Sequence, residues 1–116
     1  MATKNDLFSL TTKTVDIDGK PYTFKEMSAK DYLIYSDIES EVNEDETISA
    51  RLKNLYTNAL MCSLSLVDDK GKLLLDPNEY KSVIDNIGAS LLFKLTSAAM
   101  QINGYNDSDE DVAKNS

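Results

Sequence analysis

The strongest period along the chain runs through Ile48, Leu52, Leu55, Ala59, Cys62 and Leu66, which recur at steps of four and three. One face of a 3.6-residue repeat sustained over five turns predicts a helix over about residues 46–67. From Leu60 to Val67, Met61, Leu64 and Val67 add apolar positions around the other side. A helix apolar nearly all round is buried centrally or covered by a partner. The cluster Asp68-Asp69-Lys70-Gly71 ends it. Upstream, Ser28 with Asp31 three residues on predicts a helix start, because serine accepts from the free first-turn amides and an acid suits the positive end of the helix dipole. Ile34, Ile38 and Val42, with Tyr35 beside them, give a helix over 29–42 its inward stripe. Downstream, Asp76-Pro77-Asn78-Glu79 supplies an N-cap, a proline at the first helical position and an acid in the first turn. The short helix that follows, 77–87, uses Tyr80, Val83, Ile84 and Ile87 and breaks at Gly88. A last helix, 89–103, carries Leu91, Leu95, Ala98, Ala99 and Ile102 on one side, with Phe93 and Met100 on the other, and stops at Gly104.

One segment alternates with period two instead. Asp18-Gly19 is a turn pair that supplies the positive φ angles of a two-residue connection. With that turn, Val15 lies opposite Tyr22, and Ile17 and Phe24 share their face, so a hairpin spans 13–26. Pro21 lacks a backbone donor and predicts that its strand lies at an edge. A lone hairpin is marginal in water, so its apolar face packs on the helices. The fold class is therefore α+β, mainly α: an N-terminal β-hairpin packed on three to four helices. It forms a single globular domain over 13–104, between a flexible arm at 1–12, docked through Phe8 if at all, and a disordered acidic tail at 105–116.

Composition narrows the function classes. A length of 116 residues is one domain, and 41% apolar with 28% charged residues is ordinary for a soluble protein. No apolar run approaches the roughly 20 residues of a membrane helix, so no membrane is expected and the chain reads as cytoplasmic. A single cysteine excludes an internal disulfide framework, and the lack of histidine removes the commonest general base and metal ligand. The net charge of −8 excludes a general footprint for nucleic acid. That charge sits in two places: Asp37–Glu46 carries −6 and Tyr105–Ser116 carries −3, which leaves the other residues at +1.

The candidate chemistries fail one by one. Setting Gly19 or Gly71 at the sixth position of a calcium loop puts Lys25 or Pro77 at the twelfth, where neither can ligate through its side chain, and Asp107–Asp111 has Val112 where the glycine belongs. Cys62 lies in an apolar stripe, where a thiol is a small hydrophobe, with no imidazole in the chain to activate it. Carboxylate pairs such as Glu39 with Glu41, or Asp45 with Glu46, lie in the most polar segment, where burial cannot separate their pKa values. The four glycines are scattered, so there is no phosphate loop. The chain is expected to be no enzyme, with no cofactor and no metal. What stands out is spare apolar surface. Met61 with Leu64, and Phe93 with Met100, lie off the main stripes and are the candidate partner-binding residues, either for a partner helix or for self-association.

The order of these features resembles a known family. A hairpin with an acid-Gly turn, then "FKEMSAKDYLIYS", the long helix "ISARLKNLYTNALMCSLSLV", a short helix and "ASLLFKLTSAAMQINGY" are similar to the phage tail assembly chaperones of the lambda minor tail protein G family of long-tailed phages. The resemblance covers roughly Lys13 to Tyr105 and rests on length, element order and the "SA" opening of the first helix. It implies a binding protein of viral tail assembly in the host cytoplasm. Such a protein coats the tape measure protein, keeps it soluble, helps recruit subunits of the major tail (tube) protein and is absent from the mature virion. It also implies a frameshifted longer form that carries the tube contact; here Ala113-Lys114-Asn115 is compatible with a slippery codon run. The alternatives are a structural tail or head-tail connector component and a small acidic DNA-mimic inhibitor.

Overall fold

The structure is a computed structural model and describes residues 1–105. The acidic tail beyond Tyr105, with Ala113-Lys114-Asn115, lies outside the described residues. Asp18 and Gly19 take φ of +52° and +84°, the two positive angles their turn requires. They join β1 (Thr12–Ile17) to β2 (Lys20–Lys25) with Val15 opposite Tyr22. Phe24 and Ile17 are buried, and Val15 and Tyr22 pack beside them, so the hairpin turns its apolar face onto the helices as the alternation requires.

The first helix of the hairpin's partner layer, α2 (Ala29–Glu44), opens with a full capping box. Ser28 Oγ accepts from Asp31 N at 3.1 Å and Asp31 Oδ2 accepts from Ser28 N at 3.2 Å. Here α1 is a single turn, Lys4–Leu7, in the N-terminal arm. Next come α3 (Ala50–Ser65), a 3₁₀ turn at Pro77–Glu79 leading into α4 (Tyr80–Asn86), and α5 (Ala89–Ile102). The core lies where α3 and α5 pack on each other and α5 packs on the hairpin, with Phe24, Leu60, Leu92 and Leu95 at its centre.

Several boundaries differ from the sequence reading. The long helix begins at Ala50 rather than near 46, because Asp45 Oδ1 accepts from Thr47 N at 2.9 Å in a turn, and Ser49 caps the helix through Leu52 N. It ends at Ser65. Leu66 and Val67 instead form β3 against Phe24 and Thr23, making a three-stranded sheet in the order β1-β2-β3. The strand that contains Pro21 is thus central, not an edge. β3 reaches only Thr23 and Phe24, so the missing donor of Pro21 faces no third strand. The connector then folds back, with Leu73 bridging Val67 and Leu74 N donating to Leu66 O at 3.1 Å.

On α2, the inward stripe is Tyr35, Ile38 and Val42, whereas Ile34 is exposed with Tyr32 and Leu33. The arm is ordered in part. Thr3 and Asp6 cap α1 reciprocally, and Thr11 pairs with Glu26 through both backbone groups and the Glu26 carboxylate. Phe8 is not docked, being 75% exposed with the Lys4 ammonium 5.5 Å from its ring.

Candidate functional site

Helices α2, α3 and α5 surround a cleft of about 310 Å³. Tyr32, Tyr35 and Glu39 recur at steps of three and four on α2 and so share one face of it. From α3, Asn54, Asn58 and Met61 line the opposite wall, and α5 adds Met100. Tyr105 closes one end because of how α5 stops. Gly104 takes φ +87°, Gly104 N donates to Gln101 O at 3.2 Å and Tyr105 N donates to Met100 O at 2.7 Å. This is a Schellman turn, in which the residue after the glycine folds back over the last turn. Tyr105, grouped by the sequence with the tail, is part of the folded domain.

The electrostatics of the cleft centre on Glu39. The Tyr35 hydroxyl donates to Glu39 Oε2 at 2.9 Å. Burial first, and then the Glu39 carboxylate, holds the Tyr35 pKa well above the ordinary tyrosine value, so Tyr35 stays a neutral donor. The Tyr105 hydroxyl is also pushed up, by burial and then by neighbouring Tyr32 and Glu39. Glu39 Oε1 has no hydrogen-bond partner among the described residues. No lysine or arginine lines the cleft.

The four residues singled out by the sequence have separate fates. Met61 and Leu64 are 4% and 2% exposed and belong to the core, so the spare surface expected there is covered. The cause is tertiary: α5, α4 and α2 all pack on α3. Met61 is still visible at the cleft, where Met100 joins it, half-buried. Phe93 is 50% exposed on the outer side of α5 and does not reach the cleft. The apolar surface left open is elsewhere: Tyr32, Leu33 and Ile34 at the start of α2, and Leu7, Phe8 and Leu10 in the arm.

Sequence reasoning missed Tyr32, Glu39 and Tyr105. The three-and-four spacing of the α2 residues and the apolar residue just after Gly104 were the available signals. It also missed Asn103, whose Oδ1 accepts from Met27 N at 2.7 Å while Nδ2 donates to Ser65 Oγ at 3.0 Å and Ala99 O at 2.8 Å. This side chain ties the end of α5 to α3 and to the segment between β2 and α2, and so fixes the walls of the cleft. Cys62 is buried against Thr96, and burial pushes its thiol up to about 11, the opposite of an activated nucleophile. Among the described residues, no helix is long and apolar enough to cross a membrane.

No family model matches the sequence, and no curated protein matches it. The structure is similar to that of the bacteriophage HK97 tail assembly chaperone, with a TM-score of 0.63 and 19% sequence identity over 85% of this chain and 94% of that one. At that similarity and coverage the two chains share a fold across most of their length.

Proposed function

We propose that the chain acts as a phage tail assembly chaperone: it binds the tape measure protein, keeps it soluble during assembly and helps recruit tail-tube subunits in the host cytoplasm. The single observation that carries this is the fold shared with the HK97 protein across most of both chains. The side chains are consistent with a holder rather than a catalyst. Its one thiol is protonated and buried, while Tyr32, Leu33, Ile34 and Phe93 leave apolar surface open for a partner. The finished virion does not retain the chain in this reading. The test is co-expression of the tagged chain with the tape measure and tube proteins, followed by affinity capture and sizing. Tape measure protein that is soluble only with the chain present, and elutes with it, supports the reading. Capture of neither protein, or recovery of the chain from purified virions, overturns it in favour of a structural component.

A further inference from the structure

The cleft between α2, α3 and α5 has the chemistry of a receptor for one cation. Its charged lining residue is Glu39, which has one oxygen committed to the Tyr35 hydroxyl and the other unclaimed among the described residues. In that contact the Tyr35 hydroxyl is the donor, held neutral by burial. Tyr32, Tyr35 and Tyr105 place three aromatic rings around it, and ring faces attract ammonium and guanidinium groups. Met61 and Met100 offer soft apolar walls for the methylene stem that a lysine or arginine carries behind its charge. No basic side chain lines the site to compete. The volume of about 310 Å³ holds one long side chain and excludes a folded element.

From this charge complementarity we infer that the cleft receives a single arginine or lysine side chain presented by a partner polypeptide. The inference rests on the reading of the chain as a holder of such a partner and names the point where the partner is gripped. Four methionines make the test direct, because Met61 and Met100 line the cleft while Met1 and Met27 do not. The full chain, labelled at its methionine methyls, is titrated with N-acetyl-arginine amide and, separately, with the neutral isostere N-acetyl-citrulline amide.

The arginine derivative is expected to shift the Met61 and Met100 methyls with a dissociation constant on the order of 1 mM, leaving Met1 and Met27 in place. The citrulline derivative is expected to bind at least roughly tenfold more weakly. Glu39→Gln still accepts from Tyr35, and it is expected to lose the preference for arginine. Equal shifts with both derivatives, shifts confined to Met1 and Met27, or no shift at all overturns the inference. The citrulline comparison uses the unaltered chain, so it stands even if Glu39→Gln does not fold. A chain that holds tape measure protein while its cleft stays silent overturns the cleft alone. A responsive cleft in a chain that holds neither tail protein overturns the chaperone reading alone.

Discussion

Asn103→Ala removes one side chain that satisfies backbone and side-chain groups from three parts of the chain. Its Oδ1 is the acceptor for Met27 N at 2.7 Å, and its Nδ2 reaches Ser65 Oγ and the Ala99 carbonyl. An amide left part-buried without an acceptor costs about 1–3 kcal/mol, and each lost neutral hydrogen bond about 1 kcal/mol. The expected loss is therefore about 2–4 kcal/mol, a large fraction of the 5–15 kcal/mol typical of a domain. With no tryptophan in the chain, urea unfolding is followed by far-UV circular dichroism. For a slope of about 1–2 kcal/mol/M, the midpoint falls by about 1–4 M.

Asn103→Asp sharpens the test, since it keeps the acceptor for Met27 but sets a second oxygen against the Ala99 carbonyl, now 2.8 Å from Nδ2. The folded state then raises the pKa of that carboxyl above its unfolded value of about 3.9. An acid whose folded pKa is raised holds its proton more tightly when folded, so the penalty is present above the folded pKa. It fades as pH falls towards the unfolded value, where the neutral acid can donate again. A midpoint within about 0.3 M of the unaltered chain for the Ala variant would refute the reasoning, because water would then be replacing every contact.

Cys62, pushed by burial from 9.0 up to about 11, is expected to resist a disulfide reagent at pH 8 until the chain unfolds; fast native-state labelling would contradict its burial. The same shift means that the folded state holds the thiol proton more tightly, so its contribution is complete below pH 9 and is lost as pH rises towards 11, a fall measurable by urea midpoints in that window. Gly88 has the φ of −68° seen at the serine caps of α2 and α3 (−66° and −70°), and an added Cβ meets nothing within 4 Å. Gly88→Ser is accordingly expected to stabilise the chain by about 0.5–1 kcal/mol in thermal melts, and a loss would show that the loop cannot orient a cap. Phe93→Asp changes a half-exposed side chain, so the fold should persist while capture of tape measure protein drops about tenfold. Charge reversal across Glu44–Glu46 is expected to matter less, and full affinity in a folded Phe93→Asp variant would remove that face from the interface.

The sequence by itself determined the elements whose causes lie within a few residues. Asp18-Gly19 sets the hairpin register, Ser28 with Asp31 and Asp76 with Pro77 start helices, and Gly104 stops the last one. The apolar residues around the second half of α3 announced a segment buried on all sides, and Ala59 to Ser65 are buried. Only the tertiary structure decided what covers that helix. Leu66 and Val67 continue the helical period but pair with Phe24 and Thr23, because β2 offers backbone groups that need partners and a helix end does not supply them. The same packing took Met61 and Leu64 into the core and left Tyr32, Leu33 and Phe93 outside. Asn103 reads as a polar residue at a helix end, yet it bonds to Met27, 76 positions away, and to Ser65, 38 away. Turns and caps are legible because their donors and acceptors are neighbours in sequence. The cleft was not, because Glu39, Met61, Met100 and Tyr105 meet only after three helices have packed.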